Sequence, residues 1–223
     1  DSQIGSGYGV TTLPHVRAVL EKYAARHGRI KLAFREHNGG ISAASNTALG
    51  LVSGDFIALL DHDDELPRHA LYMVVEELNA HPDSDLVYSD EDKIDSAGHR
   101  YDPYFKSDWN PDLFFSLNLI SHLGVYRTTL LRQIGGFREG YEGSQDYDLF
   151  LRLSEKTQRI GHVAKPLYSW RKIPSSTASD TQAKPYAHMA GRQALQEHLQ
   201  RGGIAGEVVD GLVTPFRYRV RYQ

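Results

Sequence analysis

Leu59-Leu60-Asp61-His62-Asp63-Asp64-Glu65-Leu66 ends an apolar run that begins at Phe56. An apolar run bounded by polar residues reads as a buried strand. The acids therefore sit where a strand leaves the core and meets solvent. Asp61, Asp63 and Asp64 repel one another, and each raises its neighbours' pKa unless something positive lies between them. A hard divalent cation answers that need. Oxygen ligands suit magnesium or manganese, which keep positions open for phosphate oxygens. Taken alone, the stretch reads equally well as a solvated acidic turn.

The elements on either side alternate. Val16, Val19, Leu20 and Tyr23 recur at helical spacing, and Ile30 to Phe34 reads as a short strand. Ala44, Ala48, Leu51 and Val52 mark a second helix behind the turn Asn38-Gly39-Gly40, with Ser42 as its expected N-cap. Pro67 suits the first turn of a third helix that buries Ala70, Leu71, Val74, Val75 and Leu78. Leu86 to Tyr88 is a further strand. Such alternation predicts an α/β fold with a largely parallel sheet and helices on its faces. Ligands of these sheets bind beyond the carboxyl ends of the strands, where Asp61 and Asp63 lie. From Asp90 to Ser121 the chain reads as loops with short elements. Asp146 to Lys156 is helical with Leu149, Phe150 and Leu153 inward, residues 172–184 read as a mobile loop, and Tyr186 to Arg201 is a helix stopped by Gly202-Gly203. Phe216, Tyr218, Val220 and Tyr222 alternate with Arg217, Arg219 and Arg221 as a half-buried strand. That arginine stripe reads as a solvated face, with anionic lipid heads as the alternative partner.

Composition narrows the function. A chain of 223 residues supports one domain with a small appendage. The net charge of −3 gives no electrostatic case for nucleic acid as the main partner. The absence of cysteine excludes disulfides and thiol catalysis and fits a reducing compartment. No apolar run approaches the roughly 20 residues needed to span a bilayer. The eleven histidines show no zinc-binding spacing. His62, between two aspartates, points away from both on an extended turn.

Two more constellations bear on the acids. In Glu142-Gly143-Ser144-Gln145-Asp146-Tyr147-Asp148-Leu149, Asp146 opens a helix, so by itself it reads as a cap. With Gly135-Gly136-Phe137 before it, it becomes a carboxylate on a glycine-bracketed platform, a sensible place for a general base. In Asn38-Gly39-Gly40-Ile41-Ser42-Ala43-Ala44-Ser45-Asn46, glycines before a helix start can cradle an anion on free N–H groups, or simply make a strand-to-helix turn.

The order of these motifs resembles the family 2 glycosyltransferases with the GT-A fold, over residues 30 to 171. Asp61-His62-Asp63 matches the family's D-x-D, and Asp146 matches the aspartate of its E-D motif. Leu167-Tyr168-Ser169-Trp170-Arg171, Tyr88-Ser89-Asp90-Glu91-Asp92-Lys93 and Phe105-Lys106 look like the branch that makes bacterial surface polysaccharides, including O-antigen. The resemblance implies a mixed, largely parallel GT-A sheet lacking its first strand. Residues 1–171 would be an N-terminally truncated catalytic domain, with Asp1-Ser2 a remnant of the base-binding loop. Residues 172–223 would add a loop, helix and strand to the same domain.

The implied reaction is the inverting transfer of a sugar from a nucleotide-diphosphate sugar, UDP- or dTDP-linked, to a hydroxyl of a growing glycan. Asp61 and Asp63 would hold Mn2+ or Mg2+, and Asp146 would be the base. Asn38, Gly39, Gly40, Asn46, Asp61 and Arg171 would hold the donor. The acceptor would be lipid-linked, with the enzyme on the inner face of the membrane, in peripheral contact with it, and beside a second transferase domain. Three positions depart from the pattern: Gln145 replaces a glutamate, Ser45 an arginine, and Ser169 a histidine. Two rival readings remain. One is a phosphoryl or nucleotidyl transferase, which needs a second metal about 3.5–4 Å from the first, with Asp90 to Asp92 as the candidate ligands. The other is a degenerate, non-catalytic domain that binds glycan or a partner.

Overall fold

A computed structural model describes residues 14–172, 185–212 and 215–223. The remnant expected at Asp1-Ser2, and the loop expected over 172–184 apart from Lys172, lie outside the described residues. The fold is mixed α/β. Its main sheet holds β1 (Phe56–Ala58), β2 (Leu86–Ile94), β3 (Arg100–Tyr104), β4 (Gly124–Arg127) and β5 (Ile160–Arg171). β2 is central. One of its edges pairs with β5 in parallel. The other pairs antiparallel with β4 over Leu86 to Tyr88 and with β3 over Glu91 to Ile94. β1 joins the outer edge of β4, also antiparallel. It follows that β1, β2 and β5 run in one sense, while β3 and β4 run in the other.

Alternation along the strands divides the core in two. Leu86, Tyr88, Tyr126 and Ile57 point to one face. There they meet α6 (Gln145–Ser154) through Leu149, Phe150 and Leu153, and α7 (Pro185–Arg201) through Ala194, Leu195 and Leu199. Val87, Val125 and Phe56 point to the other face, against Ala70, Met73, Val74 and Leu78 of α3 (Ala70–Ala80). Helices thus cover both faces. The tail strand pairs as β7 (Tyr218–Tyr222) with β6 (Gly206–Asp210) in a separate two-stranded sheet that buries Tyr218 beside α7. Among the described residues no helix is long and apolar enough to cross a membrane.

Several local expectations change. Ile30 to Phe34 makes no ladder among the described residues, because an apolar run becomes a strand only where a neighbouring backbone accepts its hydrogen bonds. α1 (Pro14–Arg26) forms, but Val19 and Tyr23 stay exposed. On α3 the buried stripe is narrower than expected, and Leu71 and Val75 face solvent. Ser42 is not a cap. α2 (Gly40–Leu49) starts earlier, at Gly39, and Ser42 lies buried inside it. The stretch from Asp90 to Ser121, read as loops, carries β2's second half, β3 and the short α4 (Pro111–Phe114), and the chain then runs into β4 and α5 (Thr128–Gln133). Its Asp and Lys residues hid the strand, because their partners are remote in sequence.

Candidate active site

The acidic stretch leaves β1 and folds back onto the C-terminal end of β5. Glu65 and Ser169 exchange backbone hydrogen bonds at 3.1 and 2.9 Å, which fastens the loop to the strand. The Tyr168 hydroxyl donates to Asp64 Oδ2 at 2.5 Å and accepts from the Asp61 N–H at 3.2 Å. The Arg171 N–H donates to Asp64 Oδ1 at 2.8 Å, its Nε to the Asp63 carbonyl at 2.7 Å, and its terminal nitrogen pairs with Glu65. The Leu167-to-Arg171 motif is therefore a clamp on the acidic loop. Arg171, expected on a diphosphate, bonds Asp63 and Glu65 of that loop and, through its other terminal nitrogen, the Asp95 carbonyl at 3.4 Å. Asp64, not singled out for a role, is its internal anchor.

Asp61 and Asp63 are left to face the opening, with side chains 51% and 33% exposed. The Asp61 carboxyl is pushed up to about 6, first by burial, then by the charges of Asp64, Asp146 and Asp63. Asp146 lies in the first turn of α6, on the same side of the molecule. Burial raises its pKa, while the N–H groups of the helix start and the Asn118 amide pull the other way. The N-terminus of α6 by itself favours the ionised form. Desolvation outweighs it, since burial disfavours the charged form.

Asn118 and His122 escaped the sequence reading. Asn118 Nδ2 donates to Asp146 Oδ2 at 2.7 Å, and its Oδ1 accepts from the Ser121 N–H at 3.2 Å. The His122 ring stacks on Tyr168 with centroids 4.5 Å apart, and its Nε2 lies 3.8 Å from Asp61 Oδ2. Burial, with the Lys106 charge, holds the imidazole pKa down at about 3, so the ring is neutral. These two residues lie singly among apolar neighbours, Leu117, Leu119, Ile120 and Leu123, with no periodicity to mark them. Only Phe105-Lys106 carried a signal, through the family resemblance.

The glycine turn also reaches the site. Gly40 adopts φ 75° and faces Glu142, with 3.6 Å between the Glu142 Cγ and the place a Cβ would occupy. Asn38 Oδ1 accepts from the Gly40 N–H at 2.9 Å. A Cβ on Gly39 would come within 2.8 Å of Ala43 and of the Arg35 guanidinium, so the turn requires glycine there. Asn46 has a different duty from the one expected. Its amide donates to the Phe137 carbonyl at 2.8 Å and accepts from the Phe137 N–H at 2.9 Å. It pins the Gly135-Gly136-Phe137 turn that precedes α6. Gln145 Oε1 accepts from the Gly143 N–H at 2.7 Å, tightening the turn before Asp146.

Asp90 to Asp92 is no acidic turn. Asp90 is buried and accepts from the Lys106 N–H at 2.8 Å, with His162 Nε2 2.9 Å away. Asp92 is buried and accepts from Arg100 Nε at 2.7 Å. Each has an oxygen bonded within the fold, although Asp92 Oδ1 is buried without a hydrogen-bond partner. Among the described residues no group of three His, Asp or Glu side chains is placed to hold a metal, which counts against the second metal site of the phosphoryl-transfer rival.

The family model described as "Glycosyl transferase family 2" matches residues 14–135. The O-antigen biosynthesis protein RfbC of Myxococcus xanthus is 42% identical over 212 residues, which cover 95% of this chain and 16% of the relative. This chain thus spans a small part of that relative's length. The crystal structure of Staphylococcus aureus TarS 1–349 in complex with UDP-GlcNAc matches with a TM-score of 0.64 at 22% identity, over 85% of this chain and 55% of that one. The mannosyltransferase PcManGT of Pyrobaculum calidifontis, in complex with GDP-Man and Mn2+, matches with a TM-score of 0.52 at 17% identity, over 86% of this chain and 52% of that one. The solved structures show the fold, GT-A. With a family model matching more than half of its length and a relative this similar, the chain belongs to glycosyl transferase family 2.

Proposed function

We propose that this chain transfers a sugar from a nucleotide-diphosphate sugar to a hydroxyl of a growing bacterial surface glycan, with inversion at the anomeric carbon. The observation that carries the reading is the proximity of Asp61, Asp63 and Asp146: after burial, the charges of Asp64, Asp146 and Asp63 push the Asp61 carboxyl up to about 6. Similarity to RfbC, TarS and PcManGT supports the glycan and nucleotide-sugar classes.

The residues present fit a divalent cation. They are hard oxygen donors whose mutual repulsion a cation relieves. Among the described residues no group of three His, Asp or Glu side chains is placed to hold a metal unaided. Asp61 and Asp63 would therefore share it with the donor's phosphate oxygens. When bound, the cation supplies neutralising charge for the leaving diphosphate. Asp146 takes the proton of the acceptor hydroxyl as its oxygen attacks the anomeric carbon and the bond to the diphosphate breaks. Asn118 holds Oδ2 of that carboxylate, which would fix its orientation for the proton transfer. No side chain is cast as a covalent nucleophile, so one displacement inverts configuration.

The test is calorimetry with UDP, dTDP and GDP, with and without manganese, on the chain and on Asp63→Ala. Manganese-dependent binding that disappears in the variant is expected. Unchanged affinity would sink the assignment of the acidic loop.

A further inference from the structure

Lys106 is a buried charged group near the site, and the mechanism above does not use it. Its side chain is 0% exposed. Nζ pairs with Glu91 Oε2 at 2.9 Å and donates to the carbonyls of Ile120 at 2.7 Å and His122 at 2.5 Å. An ammonium has three donors, and here each one has an acceptor. Glu91 Oε2 in turn accepts from the His122 N–H at 3.3 Å. The ion pair thus grips the backbone of residues 120 and 122 from below. Ser121 between them holds φ 42°, a conformation that a non-glycine residue keeps only when its surroundings impose it.

The gripped segment touches both functional carboxylates. At its start Asn118 bonds Asp146, and at its end His122 lies over Tyr168 and against Asp61. Asp146 comes from α6 and Asp61 from the loop after β1, which share no direct bond. The segment from Asn118 to His122 spans the gap between them.

We propose that the buried Lys106–Glu91 pair is a positioning device that sets the donor-side carboxylate Asp61 and the base Asp146 in register through the segment Asn118 to His122. The inference rests on the proposed roles of those two aspartates. Polar groups just behind a metal or catalytic ligand commonly change affinity or rate by about 10- to 100-fold when removed.

A structural role alone would predict that stability and function fall and recover together. Lys106→Met strands a buried carboxylate, so it should lower the melting temperature. Adding Glu91→Gln removes that stranded charge and should restore most of the lost stability. The carbonyls of residues 120 and 122 stay unheld in the double variant. The binding probe is the nucleoside diphosphate, among UDP, dTDP and GDP, that binds the parent chain with manganese. The expected result is a double variant near the parent in melting temperature whose affinity for that probe stays about tenfold or more weaker. His122→Phe, which keeps the stack on Tyr168 and loses the nitrogen beside Asp61, should show a loss of the same sign. Parent-like affinity in both would overturn the inference and leave the donor site standing. A parent chain that binds none of the three would overturn the donor site itself, and the inference with it.

Discussion

The Tyr168 hydroxyl donates to Asp64 Oδ2 at 2.5 Å, a bond that joins residues 104 positions apart in sequence. It holds the acidic loop against β5, and the same oxygen accepts the Asp61 N–H. Burial raises the Asp64 pKa, while this bond and the Arg171 N–H oppose it. Asp64 is thus the loop's anchor, which leaves Asp61 and Asp63 turned outward.

Tyr168→Phe should therefore cost about 1.5–3 kcal/mol of stability, the range for a hydrogen bond to a charged group. Manganese-dependent nucleotide binding should weaken with it, because Asp61 loses its backbone tether. Urea denaturation and calorimetry on the same sample measure both. Full stability with weakened binding would show that the tyrosine serves the ligand and not the loop.

Asp61 gives a pH prediction. Its carboxyl is raised from the usual value to about 6. A carboxyl raised in the folded state favours folding most below its unfolded pKa, and that contribution is lost as pH rises through about 6. Asp61→Asn should then stabilise the metal-free chain above pH 6 and leave it nearly unchanged near pH 3.5. Half of the side chain is exposed, so solvent eases both the burial cost, the larger cause, and the repulsion, and the gain expected is about 1 kcal/mol. Thermal melts of both proteins across that range decide the matter. A variant less stable at pH 8 would contradict the assignment of repulsion.

For Asp146, replacement by Asn keeps the size and removes the proton acceptor. Turnover should fall about 10²-fold or more, with donor affinity nearly unchanged. Because burial raises this carboxyl, the acid limb of the kcat profile should lie above the ordinary aspartate range. If Asp146 were only a helix cap, about 1 kcal/mol of stability would be lost and turnover per folded molecule would survive.

Asn46→Ala separates two duties of one residue. The amide satisfies both backbone groups of Phe137. Stranding them should cost about 2–4 kcal/mol, seen in a denaturation curve. Nucleotide affinity of the folded fraction should stay within about threefold, a difference under 1 kcal/mol. A large affinity loss with little change in stability would return Asn46 to the donor site.

The acidic loop, Asp146 at the head of its helix and the glycine turn were legible in the sequence because each is local. A strand exit, a helix start and a positive-φ turn are set by a few neighbouring residues. The inward face of α6 was legible for the same reason: its apolar spacing matches the helical period. What escaped depends on partners far along the chain. β2 continues through Ser89 to Ile94 although four of those six residues are charged, because Lys106, His162 and Arg100 lie where Asp90, Glu91 and Asp92 need them. Buried charge is tolerable only when it is paired, and pairing across 8 to 72 positions leaves no periodic trace. Arg171 and Asn46 belong to recognisable motifs, yet only the folded chain shows that their donors bond Asp63, Glu65 and Phe137. Asn118 and His122 acquire meaning only from contacts with remote residues, Asp146 for the first and Tyr168 and Asp61 for the second. The sequence by itself determined which carboxylates could act. The tertiary structure decided which of them face the opening, because hydrogen bonds between remote segments turn Asp64 inward and leave Asp61 and Asp63 outside.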